Sequence, residues 1–174
     1  MADDLARDID RVARLEGRFL LRSGQQASHY FDKYRFEADP ALLRRVARRM
    51  LDLLPPETEI LAGLELGGIP IVTAMSLESG LPAVFVRKEA KTYGTCRAVE
   101  GGSVEGRRTV IIEDVITTGG AVRDAVGLLT AEGADLLAVV CAIWRGTGEP
   151  RIEAMPDLRV LPALTERDFV EATG

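Results

Sequence analysis

The chain has 174 residues, 47% hydrophobic and 28% charged, with a net charge of −5. This fits one soluble domain with a sizeable core and argues against a broad nucleic-acid-binding surface, which would leave a basic footprint. Its longest apolar stretches, such as Leu136 to Ile143, fall far short of the roughly 20 residues of a membrane span, and the acidic start Met1-Ala2-Asp3-Asp4 lacks the apolar core of a secretory signal.

From Asp4 to Leu15, Leu5, Ile9 and Val12 recur at helical spacing, and Gly17 ends the pattern. Phe19 to Arg22 and His29 to Tyr34 read as two strands around a Ser23-Gly24 turn. Asp39-Pro40 has the form of an N-cap with proline at the first helical position. The helix it opens carries Leu42, Leu43, Val46, Met50 and Leu54 on one stripe and stops at Pro55-Pro56. A repeating theme of apolar strand, glycine-bearing loop and helix follows. Ile60 to Gly63 is a strand, Glu65 to Gly68 a loop, and Pro70 to Ser79 a helix closed by Gly80. Ala83 to Val86 and Thr109 to Ile112 are strands, the latter leading to a helix over Ala121 to Ala131 that Gly133 closes. Leu136 to Ile143 and Arg159 to Leu164 are the last strands, and Thr165 caps a terminal helix. Strands that are apolar throughout and alternate with helices imply a parallel sheet covered on both faces. In such sheets, ligands bind beyond the carboxyl ends of the strands.

The chemistry gathers at those ends. After Val110-Ile111-Ile112 come Glu113 and Asp114, then Val115-Ile116-Thr117-Thr118-Gly119-Gly120-Ala121. The stretch is neither a Walker A loop nor a dinucleotide fingerprint. Two adjacent acids behind an apolar run cost stability unless solvated or paired. The Thr-Thr-Gly-Gly run supplies more donors than a turn requires, at the start of a helix, where a phosphate group is held well. The carboxylates suit the hydroxyls of a sugar or the waters of a bound cation. Together these features point to a phosphorylated ribose.

Arg87, Lys88 and Lys91 fall within five residues, against one acid, Glu89. Alone, such a run is often a solvated loop. Beside a phosphate cradle it suits a diphosphate, for which charge-assisted contacts are strong. Gly94 to Gly106 holds four glycines and few apolar anchors and reads as a mobile loop. Arg145, at the end of a strand, is either a surface ion-pair partner or a ligand-reading cation. Tyr30 and Phe31 are either core aromatics or the wall of a pocket for a planar base. Cys96 and Cys141 form no metal-type spacing, and His29 is the single histidine, so a zinc site and a Ser-His-Asp triad are disfavoured. The isolated thiols fit a reducing, cytoplasmic setting.

The segment Val110 to Ala121 resembles the phosphoribosyl-diphosphate signature of type I phosphoribosyltransferases. Arg87 to Gly94 is similar to the Arg-Lys-x-x-Lys-x-His-Gly run of the orotate phosphoribosyltransferases, and the likeness extends from about Arg18 to Arg145. The resemblance implies an α/β fold with a parallel sheet flanked by helices, in a single domain over 1–174. It also implies a small hood at about 18–36 and a flexible catalytic loop at about 92–107 that closes over the substrates. The implied reaction transfers the 5-phosphoribosyl group from 5-phosphoribosyl 1-diphosphate to orotate, giving orotidine 5-phosphate and diphosphate in pyrimidine biosynthesis. Mg2+ would be held through substrate and water, and the protein would be a homodimer with shared sites.

The resemblance gives Glu113 and Asp114 to the ribose, and Ile116, Thr117, Thr118, Gly119, Gly120 and Ala121, with Val115 beside them, to the 5-phosphate. Arg87, Lys88 and Lys91 go to the diphosphate, with Lys91, Glu113 and Asp114 as the catalytic set. Arg145 goes to the orotate carboxylate, and Arg22, Tyr30 and Phe31 to the hood side of the pocket. Tyr93 stands where the family has histidine, Arg22 and Gly67 where it has lysine, and Trp144 where it has aspartate, so these contacts differ. Two rivals share the ribose loop: a phosphoribosyltransferase for another nucleobase, and a non-catalytic regulator that binds the same sugar diphosphate.

Overall fold

The computed structural model describes residues 4–20, 24–89 and 98–173. Its centre is a six-stranded sheet in the order β5-β4-β3-β6-β7-β8. The strands are β3 (Ile60–Leu64), β4 (Ala83–Val86), β5 (Val99–Glu100), β6 (Arg108–Ile116), β7 (Asp135–Trp144) and β8 (Arg159–Thr165). All neighbours run parallel except β5, which pairs antiparallel with β4. The chain winds outward from β3 to β4, then crosses back to place β6 on the other side of β3. The crevice between β3 and β6 is therefore the point where strand order reverses and where a ligand fits.

Helices cover both faces. On one side, α4 (Gly68–Ser79) buries Ile71, Val72 and Met75 with α1 (Leu5–Ala13) and α3 (Pro40–Leu51). On the other, α5 (Gly120–Ala131) buries Val122, Ala125 and Leu129. Along β6, Val110 and Ile112 enter the first core and Ile111 the second, the two-residue alternation of a strand with both faces buried. The start of α3 follows the expected chemistry: the Asp39 side chain accepts from the amides of Ala41 and Leu42, and Pro40 follows it. Before α6 (Glu166–Thr173), the Thr165 amide and hydroxyl both donate to the Asp168 carboxylate, half of a capping box.

The structure departs from the sequence reading in four places. Helix α1 ends at Ala13, and the hairpin strand β1 (Arg14–Leu20) begins at once. Its partner β2 is Gln26–Phe31, three residues earlier than expected, because the Asp32 side chain accepts from the Tyr34 amide and turns the chain into α2 (Tyr34–Glu37). Strand β6 does not stop at Ile112 but carries the acidic pair inside it. Finally, the later part of the expected mobile loop is anchored: Val99 and Glu100 extend the sheet, and Ala98, Val99 and Val104 are buried. None of the described helices is long and apolar enough to cross a membrane.

Candidate active site

The β6–α5 connection builds an anion cradle from backbone alone. Gly119 takes a left-handed conformation (φ 75°) as the residue before α5. A Cβ there would also lie 2.7 Å from Ile152, so both conformation and space call for glycine. Among the described residues, the amides of Thr118, Gly119, Gly120 and Ala121 donate to no backbone carbonyl, as expected for the first turn of a helix. These donors and the helix dipole point at one place.

This cradle forms one end of a cavity of about 560 Å³. Arg87 and Lys88, beyond β4, line the same cavity, as do Glu65 and Glu113. The Glu65 carboxylate accepts the Lys88 amide at 2.5 Å and joins the loops after β3 and β4. Arg87 Nε is buried without a hydrogen-bond partner among the described residues, a donor left for an anion. A second cavity of about 480 Å³ is lined by Phe31, Lys33, Val115, Thr117 and Arg145. Val115 and Thr117 line both, so the two spaces adjoin at the end of β6.

The acidic pair splits across the sheet, as neighbours in a strand must. Glu113 lines the larger cavity and is 7% exposed, whereas Asp114 is 1% exposed and faces the α2 side. There Lys33 Nζ lies 2.5 Å from Asp114 Oδ2, an ion-pair contact on an oxygen that accepts no well-directed hydrogen bond. Gly67 closes in from the β3–α4 loop: a Cβ on it would collide with Asp114 Oδ2. A third carboxyl, Glu37, is buried against the same group. Burial first, and then the negative charge of Asp114, push Glu37 and Glu113 up to about 8. Burial disfavours the Lys33 ammonium, but Asp114 outweighs it and the pKa of Lys33 is raised.

Arg145 extends over the Phe31 ring at 5.1 Å and holds Glu166 through Nε at 2.9 Å and Nη2 at 3.4 Å. The pair occupies one edge of the guanidinium, and the fork keeps further N–H groups for another carboxylate.

A phosphoribosyl transferase domain model matches residues 35–161. An orotate phosphoribosyltransferase of Nocardioides sp. is 59% identical over 165 residues, 95% of this chain and 92% of the relative. The chain belongs to the orotate phosphoribosyltransferase family. Orotate phosphoribosyltransferase of Mycobacterium tuberculosis H37Rv, solved with Fe(III) dicitrate, superposes with a TM-score of 0.83 at 32% identity, covering 95% of this chain and 97% of that one. The same enzyme in complex with 5-phospho-α-D-ribosyl 1-diphosphate gives 0.79 at 28% identity, with 96% and 97% covered. The parallel sheet flanked by helices is the type I phosphoribosyltransferase fold that this family shares.

Of the residues singled out in the sequence, Glu113, Arg87, Lys88 and Val115 to Ala121 gather on the larger cavity, while Phe31 and Arg145 gather on the smaller. Tyr30 does not join them. It alternates with Phe31 along β2, is 46% exposed and stacks on Phe19 with centroids 5.6 Å apart. Asp114 lies beneath Lys33 and lines neither cavity. Trp144 faces away from Arg145, into the second core, with Nε1 donating to the Gly148 carbonyl at 3.3 Å. Arg22, Lys91 and Tyr93 lie outside the described residues. The sequence reading passed over Lys33 and Glu37. The one available signal was their i, i+4 spacing just after Asp32, too short to distinguish from a charged turn.

Proposed function

We propose that the chain joins orotate to 5-phosphoribosyl 1-diphosphate across the two adjoining cavities, releasing diphosphate and orotidine 5-phosphate. The observation that carries the reading is the shared wall at Val115 and Thr117. A ribose whose 5-phosphate rests on the Thr118–Ala121 amides would present its anomeric carbon between the two spaces. The diphosphate then lies toward Arg87 and Lys88, and the base toward Phe31 and Arg145. That arrangement supports displacement at one carbon with the leaving group and the incoming base on separate sides.

In this reading, Glu113 meets a ribose hydroxyl from the cavity. Asp114 joins it when Lys33 Nζ yields Oδ2 to the second hydroxyl; the Lys33 side chain is 34% exposed and has room to turn away. Arg87 and Lys88 neutralise the departing diphosphate, with Lys91 assigned to the same group by family resemblance and Tyr93 standing where the family has histidine. Arg145 uses its free edge for the orotate carboxylate while Glu166 holds the other, and Phe31 packs on the pyrimidine face. Family resemblance assigns Arg22 to the hood side of the pocket. No side-chain nucleophile is required.

Among the described residues, no three histidine, cysteine or acidic side chains cluster as a metal site. Glu113 and Asp114 are buried, with Asp114 committed to Lys33. This donor set suits sugar hydroxyls, and magnesium fits as an ion carried in by the diphosphate and water. When bound there, it supplies charge neutralisation on the diphosphate oxygens. A homodimer with shared sites belongs to the same proposal and rests on the resemblance, and a cytoplasmic location rests on the isolated thiols.

The test is a spectrophotometric assay of orotate loss with the sugar diphosphate and magnesium, run beside adenine, hypoxanthine and uracil. Turnover of orotate alone is expected. Turnover of another base in its place would reassign the second cavity.

A further inference from the structure

Helix α2 makes a single turn, Tyr34–Glu37, with Lys33 immediately before it. That turn sets Lys33 and Glu37 on one face, four positions apart. Both converge on Asp114: Lys33 Nζ lies 2.5 Å from Oδ2, and the Glu37 carboxyl faces the same carboxylate. Glu37 is 5% exposed. Neither of its oxygens has a hydrogen-bond donor among the described residues, and Asp114 Oδ2 accepts no directed bond either.

Two buried carboxyl groups in contact do not both carry charge at low cost. A proton held between them removes the repulsion and turns one acceptor into a donor. The surroundings decide where it resides. Asp114 accepts the Val115 amide on Oδ1 and has the Lys33 ammonium at Oδ2. Glu37 has neither. The other charged groups that bear on it are Lys33 and Asp32, in the turn before α2. α1 and α3 also pack against α2, and they bury Leu5, Ile9, Leu42 and Val46. The acid that α1 buries, Asp10, is bonded to Arg14.

We propose that Glu37 is the positioning residue for Asp114: a neutral carboxyl that donates a hydrogen bond to Oδ2 and fixes the carboxylate that receives a ribose hydroxyl. This rests on the function proposed above, in which the ribose takes the place of Lys33 on Asp114. Lys33 is the donor that the substrate displaces, and Glu37 is the donor that stays.

The experiment compares wild type, Glu37→Gln and Glu37→Leu in steady-state kinetics from about pH 6.5 to about pH 9.5, with each substrate varied in turn. Calorimetric binding of the sugar diphosphate to the same three proteins runs in parallel. Glutamine donates at every pH. Its KM for the sugar diphosphate is expected within about twofold of wild type near neutrality and to change less than the wild-type KM on the alkaline side, where Glu113 alone still titrates. The wild-type KM is expected to climb as pH passes about 8, where Glu37 loses its proton. Leucine is expected to raise that KM on the order of tenfold and the KM for orotate much less. Glutamine as impaired as leucine, or parallel pH curves for wild type and glutamine, would overturn the proposal. If the leucine variant fails to fold, the wild-type and glutamine curves still decide. Binding that follows the expected order without orotate turnover would support Glu37 and fault only the assignment of the base. No binding to the wild type would overturn both.

Discussion

At the scale of single residues, the site works by leaving particular groups unsatisfied. The Arg87 Nε and the amides of Thr118 to Ala121 lack partners among the described residues, so a bound anion replaces water rather than breaking bonds within the protein. Arg145 is half engaged, with one edge on Glu166. Replacing Arg145 with alanine should raise the KM for orotate by about tenfold or more and that for the sugar diphosphate far less, because a charge-assisted contact is lost on one substrate alone. Equal effects in initial-rate measurements would remove its assigned role. Gly119→Ala tests the cradle. The left-handed φ of 75° and the 2.7 Å approach to Ile152 both resist a methyl group. The variant should lose about 1–3 kcal/mol in denaturant titration and bind the sugar diphosphate more weakly. A variant as stable as wild type would show that the loop tolerates another path.

At the scale of elements, β6 and α2 together explain why charge is buried in the sheet. The folded value of Glu37, about 8, lies above its ordinary 4.5. Below about pH 4.5 both folded and unfolded chains hold the proton, and its burial costs nothing on this account. As pH rises, the unfolded chain releases the proton first, so stability falls until about pH 8, where the loss is complete. Glu37→Gln should therefore melt near the wild-type temperature at pH 4.5 and above it at pH 9, by roughly 2–4 °C for each kcal/mol relieved. A melting difference that does not vary with pH would show that Glu37 does not titrate in this way. These elements were the hardest to read in advance. Apolar periodicity disclosed β3, β4, β7, β8, α3, α4 and α5 because each buries a regular face. It stopped β6 at Ile112, since hydropathy gives no sign that Glu113 and Asp114 remain in a buried strand. It missed Lys33 and Glu37 because one helical turn has no period and their partner, Asp114, comes from a distant strand. Val99 and Val104, the anchors of the glycine-rich segment, were too sparse to stand out.

At the scale of the whole molecule, the winding of the sheet creates the crevice at β3 and β6, and the loops beyond these strands supply the chemistry. The glycine-bearing turn into α5 was legible because the Thr-Thr-Gly-Gly run is local and contiguous. Which of the paired aromatics lines a cavity was not legible, since Phe31 and Tyr30 face opposite sides of the hairpin and sequence order alone does not decide which faces inward. The proposed sharing of sites between two subunits is tested by complementation: subunits carrying Lys91→Ala mixed with subunits carrying Glu113→Ala and Asp114→Ala should recover part of the activity that each lacks alone. No recovery would count against sharing.

The account turns on where the sugar phosphate rests. A crystal structure with bound 5-phosphoribosyl 1-diphosphate tests that most directly. The expected result is a 5-phosphate on the Thr118–Ala121 amides, ribose hydroxyls on Glu113 and Asp114, and Lys33 Nζ moved off Oδ2. A phosphate elsewhere, with Lys33 still seated on Asp114, would contradict it.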